Sequence, residues 1–175
     1  MRKLVCMGLS LIMLFLLSAC MESEPTKEIN SDAQISSESK GISEDTFVLN
    51  ETAVFEELKI TATEIKETTG KDFFEPEEGA VFVGVNFTIE NISSETQAIS
   101  SLLLFEAYAD DIKCDYSYNA ACAFDEGTLD GELAAGKKMD GWYAVEVPAD
   151  WSTIEFDVAS SWLSSNSAKF VFENK

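Results

Sequence analysis

The sequence predicts an all-β fold, an antiparallel Ig-like β-sandwich of about seven or eight strands. From about residue 47 onward, short runs in which apolar and polar residues alternate are separated by turn residues. No long stretch of this region has a sustained apolar period of 3.6 residues, so helices between the strands are not expected. Strands at this spacing without intervening helices are typical of two antiparallel sheets packed face to face.

The first two long strands are predicted on either side of a turn. Leu58, Ile60 and Ala62 alternate with polar residues, which is the pattern of a half-buried strand. A Pro-Glu-Glu-Gly turn follows at 76–79. Beyond it, one face of a longer strand consists of apolar residues at alternate positions: Val81, Val83, Val85, Phe87 and Ile89.

The later strands follow the same pattern. Residues 102–109 predict a central strand, with 112–116 as its hairpin partner, and 117–128 a loop. A short extended segment at 129–133 and a closing strand at 170–172 flank two further alternating runs: Met139, Gly141, Tyr143, Val145 and Val147, then Ile154, Phe156 and Val158. Core packing is expected for the aromatic residues within these patterns: Phe87, Phe105, Trp142, Tyr143 and Phe156.

Charge and composition exclude several classes of function. The 175 residues include 32 Asp and Glu, 12 Lys and Arg and no His, which gives a formal net charge of −20. Such a chain is not expected to bind nucleic-acid phosphate or anionic lipid headgroups through its own charge. The absence of His removes Ser-His-Asp catalysis, Cys-His catalysis and His-containing zinc sites. No cofactor is predicted.

Residues 1–19 have the organisation of a secretory signal peptide. Two basic residues precede a nearly unbroken apolar run at 4–17, which is shorter than the roughly 20 residues of a membrane-spanning helix. The run ends in Leu-Ser-Ala-Cys at 17–20, which resembles the lipobox of bacterial lipoproteins. That resemblance implies cleavage before Cys20, lipid attachment to its thiol, and a location on the extracytoplasmic face of a bacterial cell membrane. The alternative is an uncleaved membrane anchor in which Cys20 is incidental.

Residues 20–46 are predicted to form a flexible acidic tether between the lipidated Cys20 and the sandwich domain, 47–175. Ser and acidic residues dominate this segment, and it contains no aromatic residue. Such a composition cannot bury enough apolar area to offset the entropy lost on ordering. A fragment 47–175 is therefore expected to be as stable as 21–175. The alternative is a short amphipathic helix built on the spaced isoleucines of the segment.

Two sequence blocks carry a resemblance to a known family. The first, Asp-Phe-Phe-Glu-Pro-Glu-Glu-Gly at 72–79, leads into the predicted strand that ends before Asn91. The second, Leu-Asp-Gly-Glu-Leu-Ala-Ala-Gly at 129–136, runs on to a Val-Pro strand end at 147–148. Together they resemble a family of bacterial lipoprotein domains of unknown function. The resemblance implies a telokin-like, Ig-type sandwich, related in fold to a secreted immunoprotective antigen, and it implies no catalytic residues.

The acidic side chains suggest two alternative chemistries. They cluster near one predicted hairpin and the loop after it: Asp110, Asp111, Asp115, Asp125, Glu126, Asp130 and Glu132. Hard oxygen ligands suit Ca²⁺, but the D-x-[DN]-x-[DN]-G loop is missing from the sequence, so solvated surface charge is the preferred interpretation and no metal site is predicted. Carboxyl pairs at glycosidase spacing would occur by chance among so many acids, so an enzyme is not predicted.

Cys114 and Cys122 are predicted to form a disulfide. Export would bring them into an oxidising compartment, where disulfides persist. A bond closing so short a loop would contribute about 2–3 kcal/mol. Two cysteines without further Cys or His do not make a zinc site, so the alternative is a pair of free, buried thiols.

The predicted function is binding. A tethered acidic sandwich without His is better suited to docking than to turnover, so we expect a binding or accessory interaction module at the cell surface. Its expected partner is a protein or peptide with a basic surface, attracted in part over long range. The alternatives are a sensor domain that binds a ligand or calcium and, as a second alternative, a hydrolase with paired carboxylates.

Overall fold

The elements of regular structure follow one another through short turns. The structure, a computed structural model, describes residues 24–28, 46–124, 127 and 129–174. In chain order its strands are β1 (Thr26–Glu28), β2 (Thr46–Phe47), β3 (Thr52–Val54), β4 (Leu58–Thr68), β5 (Ala80–Asn91), β6 (Gln97–Ile99), β7 (Phe105–Ala109), β8 (Ile112–Cys114), β9 (Gly131–Leu133), β10 (Lys138–Pro148), β11 (Thr153–Ala159) and β12 (Ser167–Glu173). The helices in these residues are α1 (Ser101–Leu104) and α2 (Tyr118–Ala123). None of the helices in this part of the chain is long and apolar enough to cross a membrane.

Two five-stranded sheets form a sandwich, as predicted. Their spatial orders are β1-β3-β4-β5-β10 and β2-β12-β11-β7-β8, and β6 pairs separately with β9. Among the described strands, pairing is antiparallel except between β2 and β12. The described chain has twelve strands where seven or eight were expected. Six of them are only two or three residues long, which is too short to give an alternating pattern.

Aromatic rings join the two sheets across the core. Phe87 of the first sheet makes edge contacts with Phe105, Phe156 and Phe170 of the second, at centroid distances of 5.1, 6.0 and 5.4 Å. Tyr143 stacks on Phe105 at 5.1 Å. Each such pair adds about 0.5–1.5 kcal/mol beyond the burial of its apolar area. The predicted core role of Phe87, Phe105, Tyr143 and Phe156 is confirmed.

The buried side chain of Asn91 organises the turn after β5. Its Nδ2 donates to the carbonyl oxygens of Glu95 and Leu133 at 2.7 and 2.8 Å. Its Oδ1 accepts from the backbone N and the hydroxyl of Ser93 at 2.9 and 2.8 Å. Every polar atom of this amide therefore has a partner although the residue is 0% exposed. The amide ties the end of β5 to β9.

Two helical turns replace parts of the predicted pattern. Residues 102–104, expected to start a strand, belong to α1, because the Asp130 carboxylate accepts hydrogen bonds from the backbone N and the hydroxyl of Ser101 at 2.9 and 2.8 Å. The strand β7 begins only after this turn. Helix α2 lies within the predicted loop 117–128 and begins where the Ser117 hydroxyl accepts from the Ala120 N–H at 3.1 Å.

Residues 24–28 depart from the expectation of a flexible tether at 20–46. Thr26–Glu28 forms β1, which pairs antiparallel with β3 at the edge of the first sheet. Pro25, just before it, is buried. Composition alone missed this strand because backbone hydrogen bonds, not apolar side chains, attach it to the open edge of β3. The rest of the predicted tether, the signal peptide and the isoleucine helix lie outside the described residues.

Ion pairs hold β1 in place. Lys27 Nζ lies 2.6 Å from Glu51 Oε2 and 5.6 Å from the centre of the Phe47 ring. On the other side, the Glu28 carboxylate accepts from Lys59 Nζ at 2.8 Å, and this hydrogen bond raises the pKa of Lys59. The segment is therefore attached by side chains of both signs as well as by its backbone.

Candidate functional site

A cleft opens on the outer face of the first sheet, beside α2. The helix lies on β5 and β10, where Ala120 and Ala123 pack against Phe82 and Ala144. Three of these four side chains are methyl groups, so the helix can approach the sheet closely. The space between the end of the helix and the neighbouring strand β4 forms the cleft, with a volume of about 590 Å³.

An aromatic pair forms the floor of the cleft. Phe124, the first residue after α2, lies over Gly84 of β5 and stacks on Trp142 of β10, with ring centroids 4.8 Å apart and an interplanar angle of 20°. Lys66 Nζ, from β4, lies 5.0 Å from the centre of the Trp142 ring. This is a cation–π distance. The indole therefore already holds one ammonium group against its face.

Carboxylates dominate the charged walls of the cleft. Among the lining residues that the structure describes, Glu64, Glu67 and Asp140 carry negative charge and Lys66 carries positive charge. Lys66 Nζ lies 2.9 Å from Glu64 Oε1. Glu67 Oε2 accepts from the indole N–H of Trp151 at 2.8 Å, which fixes that carboxylate at the mouth of the cleft. The cleft thus combines an aromatic surface with a net negative charge.

Trp142 corrects one expectation. It was expected in the core, but it lies half-buried on the outer face of β10. Its neighbours Tyr143 and Val145 are buried in the core, and successive side chains on a strand point to opposite faces. Strand parity could have placed Trp142 outside from the sequence alone. Its contact with Phe124 could not be predicted, because the local pattern gave no sign of α2.

Two of the acids considered as calcium ligands, Asp110 and Asp130, have structural partners. The Asp110 carboxylate accepts from the backbone N atoms of Ser152 and Thr153 at 2.9–3.1 Å. Asp110 and Asp111 have φ values of 48° and 66°, as the tight β7–β8 hairpin requires. Asp130 is bonded to Ser101, as described above. These hydrogen bonds give the carboxylates of Asp110 and Asp130 a role in holding neighbouring segments of the backbone.

The remaining acids of that set do not come together with these. Asp115 and Glu132 are exposed, on the segment after β8 and on β9. Asp125 and Glu126 lie outside the described residues. Where the chain is described, no group of three or more Asp, Glu, Cys or His side chains is placed to hold a metal ion.

The outer face of the second sheet carries a separate network of charges. Glu106 accepts from Lys113 Nζ at 2.7 Å and from the Tyr108 hydroxyl at 2.9 Å, and these bonds lower the pKa of Glu106. Asp157 is opposite Glu106 in the strand register and is half-buried. Burial raises the pKa of its carboxyl, and this effect outweighs the lowering caused by the positive charge of Lys169. Glu106 and Asp157 are opposite each other in this register, but a hydrolase would require a free acid and base pair and Glu106 is occupied by two donors.

The structure describes two of the three predicted site residues, Cys114 and Cys122. Cys20 lies outside the described residues. Cys114 in β8 and Cys122 in α2 are half-buried free thiols, so the predicted disulfide is not formed in this structure. The Cys114 thiol lies 3.5 Å from the carbonyl oxygen of Ile112, and burial raises its pKa. A hydrogen bond between Tyr118 and Cys122 raises the pKa of that tyrosine. The pairing stays a prediction for the exported protein.

Comparison with known proteins identifies the domain. Residues 47–169 match the family model described as "Domain of unknown function (DUF4352)". This range coincides with the sandwich from β2 into β12 and includes Trp142 and Phe124. None of the curated protein sequences matches the chain.

Solved structures share the fold. A candidate lipoprotein, YcdA of Bacillus subtilis, has a TM-score of 0.54 at 15% identity, over 67% of this chain but only 36% of its own. An uncharacterised β-sandwich protein of Clostridium difficile has a TM-score of 0.51 at 17% identity, over 80% of this chain and all of its own. A conserved hypothetical protein of Bacillus anthracis has a TM-score of 0.50 at 17% identity, over 70% and 94% of the two chains. This chain therefore spans about a third of YcdA and nearly all of the other two.

Proposed function

The chain belongs to the DUF4352 family of domains of unknown function, and on that premise we propose that it is a membrane-anchored binding module on the extracytoplasmic face of a bacterial cell. In this proposal, the cleft beside α2 holds a basic segment of a partner protein. The observation that carries it is the stacked pair of Trp142 and Phe124, enclosed by carboxylates.

Lys66 indicates the chemistry that the cleft accepts. Its ammonium group lies over the Trp142 ring and beside the Glu64 carboxylate. A lysine or arginine of a partner could take the same position, because Lys66 is exposed and free to rotate away. Aromatic faces and carboxylates both stabilise a cation, and the stabilisation grows as water is removed. The formal net charge of −20 would attract such a partner from a distance.

The proposed role is binding and not turnover. The chain has no His, so a carboxyl, Lys or Cys would have to supply any proton transfer. In the cleft, Glu67 is engaged by the Trp151 indole and Asp140 by the Thr88 hydroxyl, while Glu64 pairs with Lys66 or, in the proposed complex, with the cation that replaces it. These contacts fix charges around a bound cation and leave no free acid and base pair among the three carboxylates described there.

The proposed anchor is a lipid on Cys20. The lipobox-like segment at 17–20 supports it, as does the shared fold with YcdA, a candidate lipoprotein. Replacing Cys20→Ser should release the protein from the membrane fraction or leave its signal peptide uncleaved. Membrane retention with normal processing in that variant would contradict the lipid anchor.

The cleft is tested with a captured partner. The partner is obtained by cross-linking on intact cells and is then identified. The rate at which it associates with the domain is measured across a salt series. The on-rate should fall as salt rises, because at 0.1 M ionic strength attraction between charges more than about 10 Å apart is largely screened. Trp142→Ala and Glu64→Gln should weaken binding, whereas Glu132→Gln, an exposed acid on β9, should not. An acidic partner, or equal effects of Glu64→Gln and Glu132→Gln, would contradict the proposal.

A further inference from the structure

Four large apolar side chains are exposed at one end of the sandwich. Leu102 and Leu103 in α1 are 66% and 65% exposed, and Trp162 and Leu163 in the β11–β12 loop are 69% and 75% exposed. Phe105 of β7 is opposite Val158 of β11 in an antiparallel pair, so α1 and the loop both leave the second sheet at this end. Leu103 and the loop residues 164–167 line one shallow cleft of about 220 Å³. We call these four residues the apolar end.

Both segments of the apolar end lack charge. Asp, Glu, Lys and Arg are absent from 96–105 and from 158–168, although such residues make up 25% of the chain. Serines surround the apolar side chains in both segments. These two segments thus combine an indole, leucines and hydroxyl groups and carry no formal charge of their own, although Glu106 and Asp157 line the shallow cleft between them. Trp and Leu with uncharged polar neighbours suit the interfacial region of a bilayer.

The N-terminal chain meets the domain at this same end. Strand β12 begins beside the β11–β12 loop, and β2 runs parallel to it with Thr46 opposite Lys169. The chain therefore enters β2 from the apolar end. Glu24, which precedes β1, lines a cleft together with residues 165–167 of the loop. Both described segments that approach the domain from the N-terminus arrive beside the apolar end.

Chain length then sets the distance to the membrane. Glu24 is four residues from Cys20, and four residues span at most about 14 Å. A folded domain of this size is about 35 Å across. A lipid on Cys20 would consequently hold the apolar end at the bilayer surface, whereas the opposite end, at the β7–β8 hairpin, would lie farther away.

We propose that the apolar end is a second, non-covalent membrane contact that inserts Trp162 and Leu163 into the interfacial region of the bilayer. This inference rests on the proposed lipid anchor at Cys20. One acyl anchor fixes a point, and an apolar contact beside it fixes an orientation. The cleft with Trp142 lies on a sheet face rather than at this end, so it remains open to a partner while the domain is seated on the membrane.

The test uses the mature, lipidated protein in phosphatidylcholine vesicles whose acyl chains carry bromine, which quenches nearby tryptophan. Neutral lipid is the first probe because Glu24 and Asp157 lie beside the apolar end. Flotation establishes anchoring, and emission is then compared with that in unbrominated vesicles. Wild-type protein should be quenched, Trp162→Phe should lose at least about two thirds of that quenching, and Trp142→Phe should retain it.

A second test measures the same tryptophan quenching after a charge is introduced at the apolar end. Leu163→Asp should reduce the quenching at least about threefold, since a carboxylate resists transfer into the interface. Ile112→Asp is the matched control, because Ile112 is 73% exposed at the β7–β8 hairpin, at the opposite end of β7. Both residues are exposed, so neither change should alter the fold.

Three outcomes would overturn the inference, and they are distinguishable. If wild-type protein fails to float, or Cys20→Ser floats equally well, the lipid anchor itself is wrong. If the protein floats but Trp162 is not quenched, or Ile112→Asp acts like Leu163→Asp, only the second contact is wrong. If Trp162 becomes protected at rising protein concentration without vesicles, the apolar end binds a second copy of the chain instead.

Discussion

A Cβ atom on Gly84 would lie 2.8 Å from Cζ of Phe124. The ring therefore rests on the sheet in the space that any other residue would fill. Gly84→Ala should push the ring away from Trp142 and destabilise the domain by about 1–2 kcal/mol through overpacking. The urea midpoint measures the stability, and near-ultraviolet circular dichroism reports the aromatic pair.

A double-mutant cycle separates the clash from other effects of Gly84→Ala. In a Phe124→Ala background the ring is gone, so the same substitution should cost much less. Equal costs in both backgrounds would show that the ring is not what the added methyl group meets.

Asn91 should be among the most sensitive polar residues. Asn91→Ala leaves the carbonyl groups of Glu95 and Leu133 without their donor, and the loss should be about 3 kcal/mol. Asn86→Ala, on the same strand but only half-buried, should cost about 1 kcal/mol or less. Denaturant unfolding of the two variants checks this order, and similar costs would contradict it.

Tyr143 should make the fold sensitive to alkali. Burial raises the pKa of Tyr143 to about 12, while an unfolded tyrosine ionises near 10. Because the folded value is higher, the stability contributed by the neutral phenol is complete below about pH 10 and is lost as pH rises toward about 12. Unfolding midpoints across this range, followed together with tyrosinate absorbance, measure the effect. Tyr143→Phe should reduce the pH dependence, and an unchanged profile would contradict the assignment.

Asp157 should be a source of instability near neutral pH. Burial raises the pKa of its carboxyl in the folded state, so the fold favours the protonated form. The stability gained by that form is present in acid and lost as pH rises through the folded pKa. Asp157→Asn should therefore raise the Tm near neutral pH and change it little in acid. Glu155→Gln, which loses the ion pair with Lys169, is the control and should not raise it.

Removing β1 should weaken the domain. The fragment 47–175 lacks the strand that covers β3 and the ion pairs of Lys27 and Glu28. Its Tm should lie at least about 4 °C below that of 21–175, which corresponds to about 1 kcal/mol for a domain of this size. Equal melting temperatures would mean that β1 contributes nothing to stability.

The sequence was most informative where one face of a strand is buried. Alternation located β5 and β10 almost to the residue, because Phe87 and Tyr143 must face the core while their neighbours face outward. It failed for Thr26–Glu28, whose attachment depends on backbone donors and acceptors that any sequence carries. It failed also at α1, where a distant carboxylate, Asp130, decides between helix and strand.

The candidate cleft was harder to predict than the fold. Trp142 could be placed on the outer face by parity, but Phe124 reaches it only through α2, whose six residues give too short a period to recognise. Gly84 was a usable signal, since a glycine within a strand often marks a close approach by another group. The acids could not be sorted from the sequence, because structural and surface carboxylates look alike until their donors are known.

The edges of both sheets bear on how the protein behaves when crowded. On the first sheet, β1 is three residues long and carries Lys27, and the far side of β10 is met by Tyr116, which bridges to Val145. On the second, β2 and β8 are two and three residues long. Within the described residues, three of the four edges of the five-stranded sheets are thus strands of two or three residues, which offer little template for another chain to extend. The fourth, β10, has 11 residues and is bridged at Val145. If the lipid anchor proposed above confines many copies to one membrane, these short edges oppose the formation of cross-β aggregates between them at high density.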